Sequence, residues 1–402
     1  MTREEASKLC LKECDKHKCV IAELPTGYGK SYLSIQMVNH ICDRVYKEQQ
    51  EEASVLIVIA KKVHKQNWLE EIDKWGGLNT SNVEFTCYES LKKYEKLTFD
   101  IILLDEAHHI KSEIRRDLLK SIYIDELLIG LSATIPLDLK EWFNYYYDTK
   151  IVSCDLQNAI EEGVLPEPNI YLIPLELNNK EPTESLWKNT KSKGKTIECN
   201  WNNRWNYIRQ KKCPVRIYCT ELQYLADLNS QIEWFKSKAR TSEFMKTRWL
   251  RLCKERLEWL AIKKNSYILT LLDQLKNYRT LTFCSNINQT EVLGKNCIHS
   301  KNKNSQDIID KFNNKKIKHI TSCQMLNENV NLTDCRIGIF ANYNSSDTIN
   351  IQRQGRLLRH KKPIIIMPYF KNTREEEIVK DIIKDYNPEL INIVNNIKDI
   401  KL

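Results

Sequence analysis

No apolar run in the sequence approaches the roughly 20 residues that a membrane-spanning helix needs, so no such span is expected. The opening residues, Met1-Thr-Arg-Glu-Glu, lack the pattern of a secretory leader, and an intracellular, cytoplasmic protein with no membrane partner is the expectation. Among the 14 cysteines there is no C-x-x-C pair and no repeating spacing, which argues against both a disulfide framework and a zinc ribbon. Cys10, Cys14, His17 and Cys19 do cluster. Because Cys10 and Cys14 stand four apart on one face of an expected helix, they read as buried thiols rather than metal ligands. No internal repeat of fixed period occurs either, so a solenoid or array is not indicated.

What the 402 residues do contain fits an ordinary globular chain of two or three domains, with 42% hydrophobic and 29% charged residues. The formal net charge of +9 is not evenly spread. Residues 178–265 hold 20 Lys and Arg against 9 Asp and Glu, together with six of the nine Trp. A local basic excess interleaved with aromatics is the composition that a nucleic-acid-binding region requires.

Strand and helix signals alternate through residues 1–150 and return after residue 266. Thr2 and Glu5 can form a capping box for a first helix. The apolar run at residues 19–22 then leads into Glu23-Leu-Pro-Thr-Gly-Tyr-Gly-Lys-Ser31 and an amphipathic segment at residues 32–46, which reads as strand, phosphate loop, helix. Pro25, Thr26, Gly27 and Gly29 shape a loop that a polyphosphate can approach. Lys30 supplies a point charge, Ser31 can ligate Mg²⁺, and the helix N-terminus adds its amides. Further buried-strand candidates are residues 55–60, 99–105, 127–131, 170–177, 281–284, 319–322, 337–341 and 364–367.

The strand at residues 99–105 ends in Asp105-Glu-Ala-His108. Carboxylates at the C-terminal end of a parallel strand face the ligand crevice of an open α/β sheet. Asp105 can hold Mg²⁺ and Glu106 can take a proton from an attacking water. Gln352-Arg353-Gln354-Gly355-Arg356-Leu-Leu-Arg359 lies between two later strands, with Arg356 and Arg359 three apart and expected on one helix face. Two guanidiniums there can clamp a triphosphate across an interdomain cleft.

Taken together and in order, Leu24-Pro-Thr-Gly-Tyr-Gly-Lys-Ser31, Asp105-Glu-Ala-His108, Ser132-Ala-Thr134 and Gln352-x-x-Gly355-Arg356-x-x-Arg359 resemble the superfamily 2 helicases and translocases of the DEAD/DEAH-box kind. Leu24 departs from the usual Gly and is similar to the variant loop of helicase-like ATPases. The resemblance covers residues 23 to about 360 and is nearest in shape to compact phage DNA helicases and restriction-type motors. It implies an α/β fold of two RecA-like doubly wound domains, at 1–150 and 151–402; the segment at 178–265, basic and helical in pattern, then reads as an insertion in the second. It also implies ATP and Mg²⁺ as cofactors, Glu106, Gln352, Arg356 and Arg359 as catalytic residues, and His108, Ser132 and Thr134 as coupling residues. The implied partner is nucleic acid, DNA ahead of RNA, and a monomer is compatible with the reading.

Lys61 and Lys62, before Gln66-Asn-Trp68, resemble the family's first nucleic-acid motif, and Tyr88-Glu-Ser90 its next. Asn329 stands where the second domain's coupling motif, in residues 324–332, usually has Gly. In the insertion, Trp187, Lys191, Lys193, Lys195, Trp201, Trp205, Lys211 and Lys212 are the candidate nucleic-acid contacts. Residues 1–22 hold no Gln, the residue many relatives use to read adenine, so loose base selectivity is expected.

Overall fold

The computed structural model describes residues 1–62, 64–323, 332–344 and 347–402, the last without the side chains of 347, 348, 351 and 352. The coupling motif around Asn329 therefore lies outside the described residues.

Six parallel strands form the first sheet: β1 (Cys19–Glu23), β2 (Val55–Ile59), β3 (Val83–Cys87), β4 (Thr98–Asp105), β5 (Tyr123–Ser132) and β6 (Thr149–Ser153). Their order is β3-β2-β4-β5-β1-β6. The continuous apolar runs are explained by burial on both faces. In β4, Ile101 and Leu103 join the core beneath the helix Lys30–Gln49, whereas Ile102 and Leu104 join a second core with Leu119, Leu139 and Phe143 on the other side. The chain then crosses over through the short helix Leu156–Glu161.

The second sheet opens with β7 (Asn169–Leu175) and is interrupted by a third, smaller sheet of β8 (Glu184–Lys188), β9 (Ile197–Asn200) and β10 (Val215–Cys219), ordered β8-β10-β9. The sequence reading had no strands there. Two long helices follow, Glu221–Lys238 and Glu243–Lys263, in keeping with the helical pattern expected in the insertion. The second sheet resumes with β11 (Thr280–Phe283), β12 (Cys297–Ile298), β13 (His319–Ser322), β14 (Ile337–Phe340), β15 (Ile364–Phe370) and β16 (Ile391–Ile393). Its order is β12-β13-β11-β14-β15-β7-β16, and every pairing is parallel.

The insertion is anchored where it rejoins the second domain. Lys264, directly after the helix Glu243–Lys263, is fully buried, donates to Glu375 and to the carbonyl of Pro368, and lies over the Tyr343 ring. Removing either charge would leave the other buried and uncompensated, a change that typically costs about 3–5 kcal/mol. Among the described residues no helix is long and apolar enough to cross a membrane.

Candidate functional site

The phosphate loop hangs between β1 and the helix Lys30–Gln49. Gly27 and Gly29 have φ of 91° and 105°, left-handed values that favour glycine, so the loop's turns depend on them. Leu24, in place of the usual Gly, is fully buried and its amide donates to the carbonyl of Ser132 at 2.9 Å, which fastens the loop's start to β5. Gly29 caps the helix without a side-chain acceptor, leaving first-turn amides for an anion. Ser31 sits in that first turn, half-buried.

Lys30 Nζ donates to the carbonyl of Leu24 at 2.9 Å. Its enclosure lowers its proton affinity below the ordinary 10.5, Glu106 and Asp105 oppose that, and Arg356 and Arg359 reinforce it. Phosphate loop, acidic strand end and arginine motif thus act on one another within one cleft. Asp105 and Glu106 are both 7% exposed at the end of β4. Burial by itself would raise the Glu106 carboxyl, but the His108 imidazole and the charges of Lys30 and Arg356 outweigh it and hold the group below its ordinary 4.5. Glu106 has φ 56°, an unusual conformation for a non-glycine residue and one held by its surroundings.

His108 Nδ1 lies 3.0 Å from Ser132 Oγ and 3.4 Å from Glu106 Oε2. Since the Ser132 hydroxyl gives its proton to the carbonyl of Thr134 at 2.7 Å, it accepts from His108, which fixes the imidazole proton on Nδ1. His108, Ser132 and Thr134 therefore form one chain of contacts leading away from Glu106.

From the second domain, the helix Asp347–Leu357 meets the loop head-on. A Cβ on Gly355 would sit 2.3 Å from Thr26 Cβ, so this approach requires glycine. Arg356 follows it, 4% exposed. The sequence reading put Arg356 and Arg359 on one helix face, but the helix ends at Leu357 and Arg359 lies in the turn beyond, exposed. Gln352 lies within the helix, and its side chain is outside the described residues. A cavity of about 770 Å³, bordered by Pro25, Thr134, Asn350 and Gln354, opens beside the loop between the domains.

Three contributors were not assigned to the site from sequence. Trp68 Nε1 donates to Asp105 Oδ2 at 2.9 Å, and Tyr88 Oη donates to the Asp105 carbonyl at 2.8 Å, so the acidic strand end is held from two elements. Arg3 donates to the carbonyls of Tyr28, Gly27 and Val164 and ties the first helix to the loop and the crossover. Nothing in the pattern signalled these beyond Trp68 and Tyr88 lying in the weaker motifs. Those motifs do come together: Lys61, Lys62, Ser90, His109 and Arg115 line one groove of about 430 Å³.

The insertion residues stand apart from the cleft, on the third sheet and its loops. Trp187 and Trp205 are each 50% exposed, and Lys191, Lys193, Lys195, Lys211 and Lys212 are exposed. Trp201 differs: it packs partly buried against the small core, with Arg204 3.6 Å over its ring, because one side of the sheet needs an apolar cover.

Two family models match the chain. Residues 2–137, which carry Lys30, Asp105, Glu106 and Ser132, match the res subunit of type III restriction enzymes. Residues 263–361, which carry Arg356 and Arg359, match the helicase conserved C-terminal domain. The chain belongs to the superfamily 2 helicases. It is thus an ATP-dependent helicase or translocase of two RecA-like domains. No curated protein matches this helicase in sequence. Among solved structures it is similar to a fragment of a putative HsdR subunit of a type I restriction enzyme from Vibrio vulnificus YJ016, at 14% identity over 98% of this chain and 67% of that one, with a TM-score of 0.57. It is also similar to the Hef helicase domain of Pyrococcus furiosus (14% identity, 93% and 97% covered, TM-score 0.52) and to S. cerevisiae Dbp5 bound to RNA and ADP BeF3 (13%, 98% and 88%, 0.57). At these identities the likeness is one of fold.

Proposed function

We propose that this helicase works on DNA, with Mg²⁺ as its metal, and that residues 1–150 and 151–402 are the two units whose closure is coupled to ATP hydrolysis, with 178–265 as an accessory grip. The observation that carries the cleft reading is the seating of Gly355 on Thr26, which brings the charge of Arg356 to bear on Lys30 and Glu106. The residues present suit a Mg²⁺-bound triphosphate. Two buried polar atoms facing this region, Thr26 Oγ1 and Glu106 Oε2, make no hydrogen bond among the described residues, and the first-turn amides of the helix Lys30–Gln49 have no side-chain cap.

In this reading Lys30 exchanges the Leu24 carbonyl for phosphate oxygens, and Ser31 and Asp105 hold the metal, with Asp105 positioned by Trp68 and Tyr88. Bound Mg²⁺-ATP supplies the phosphoryl group and the charge that these residues neutralise. Glu106, kept ionised by its cationic surroundings, takes the proton of the attacking water. Arg356 and Arg359, from the other unit, stabilise charge that develops in the transition state. His108, Ser132 and Thr134 relay the state of Glu106 toward the second domain. Lys61 and Lys62 contact the strand in the groove they share with Arg115.

DNA is favoured over RNA because the first family model and one structural relative are restriction-enzyme subunits, although Dbp5 is seen bound to RNA. The same proposal takes the protein to act in the cytoplasm. Strand displacement on DNA and RNA duplexes of the same sequence, with matching single-stranded tails, tests the substrate. Faster ATP-dependent displacement of DNA is expected, and displacement confined to RNA would overturn the assignment.

A further inference from the structure

The third sheet has one covered face and one open face. Leu186, Val215, Ile217 and Cys219 form a small core with Trp201, Tyr207 and Tyr224 on the covered side. Because side chains alternate along a strand, Ser185 and Trp187 of β8, Arg216 and Tyr218 of β10 and Glu198 and Asn200 of β9 lie on the other side. The register sets them in two rows: Trp187, Arg216 and Glu198 abreast, then Ser185, Tyr218 and Asn200. Arg216 lies 5.8 Å from the Trp187 ring centre and 5.0 Å from that of Tyr218, so one cation is within reach of two aromatic rings carried by rows roughly 7 Å apart along the strand direction. Trp187 is 50% exposed and the Arg216 side chain 38%.

At the end of the sheet where Lys188 pairs with Val215, two loops pack together. Ser192 Oγ donates to the carbonyl of Lys211 at 2.9 Å, and Gly194 fits so tightly against the Lys212 carbonyl that a Cβ would approach it to 2.8 Å. Five lysines from these two loops, Lys191, Lys193, Lys195, Lys211 and Lys212, are thereby gathered beside the row that holds Trp187 and Arg216. Glu198 also lies on the open face, but its carboxylate is 3.6 Å from Arg216, which offsets its charge.

Resting on the reading of the chain as a nucleic-acid motor, we infer that this open face is a platform for single-stranded DNA, on which Trp187 and Tyr218 stack successive bases, Arg216 lies within reach of both rings, and the gathered lysines neutralise the adjoining phosphates. The occupant follows from the chemistry. A polyanion satisfies the lysines, and only an unpaired strand exposes base faces to the two rings. Arg216 and Tyr218 are specified by strand register alone and extend the contact set beyond the basic loops.

The test is fluorescence anisotropy of a labelled 20-nucleotide oligo(dT) with the full chain. Trp187→Ala with Tyr218→Ala weakens binding at least about tenfold, as loss of two stacking partners should, while Trp187→Phe retains most of the affinity. The slope of affinity against salt stays as in wild type for the double alanine variant. It falls when the five lysines are neutralised, since each phosphate contact contributes roughly 0.7. A second measurement needs no variant: photo-crosslinking with 5-iododeoxyuridine in the same oligonucleotide yields adducts at Trp187 or Tyr218. Unchanged affinity in the double variant, or adducts confined to residues outside 184–219, overturns the platform while leaving the motor reading intact. Failure of the wild-type chain to bind the oligonucleotide at all overturns both.

Discussion

At the scale of single residues, Glu106 carries the sharpest expectation. Its carboxyl is held ionised by Lys30, His108 and Arg356 despite burial, which suits a proton acceptor at neutral pH. Glu106→Gln keeps the shape and removes the acceptor, so hydrolysis should fall about 10² to 10⁴-fold with ATP binding near wild type. Single-turnover hydrolysis and equilibrium ATP-analogue binding measure the two quantities, and more than a third of wild-type turnover would remove Glu106 from the role. Lys30, Ser31, Asp105 and Glu106 could be nominated from the sequence because the chemistry proposed for them depends on short local spacing, and the fold brings Lys30, Asp105 and Glu106 near one another. Trp68, Tyr88 and Arg3 were not assigned because their contacts join residues 37, 17 and 161 positions apart, which no local pattern encodes.

At the scale of elements, strands buried on both faces announced themselves as continuous apolar runs, as in Val55–Ile59 and Ile337–Phe340. Edge and half-exposed strands did not. Val83–Cys87 sits at the sheet's edge and Ile197–Asn200 alternates half-buried with exposed positions, so neither forms an apolar run. β13 carries a pH-sensitive group: burial holds the His319 imidazole down at about 4, against an ordinary 6.5. With the folded-state value depressed, its stabilising contribution is complete above about pH 6.5 and is lost as pH falls toward 4. The full interval corresponds to about 3 kcal/mol. Urea unfolding at pH 7.5 and pH 4.5 should show a smaller loss of stability for His319→Gln than for wild type. Equal losses would mean that other groups cause the acid sensitivity.

At the scale of the whole molecule, the order of the motifs conveyed two α/β domains, but not how closely they meet. Gly355 against Thr26 and Leu165 against Gly27 are contacts of side-chain size between distant parts of the chain. The central claim is that the nucleotide site is shared between the domains and answers to nucleic acid. The direct measurement is steady-state ATP hydrolysis with and without single-stranded DNA, for wild type and for Arg356→Ala, with nucleotide binding followed in parallel. The account predicts that DNA stimulates the wild-type rate and that Arg356→Ala, though still binding nucleotide, loses roughly 10³-fold in turnover. Hydrolysis that is indifferent to every nucleic acid supplied, or an Arg356→Ala variant as active as wild type, would contradict it.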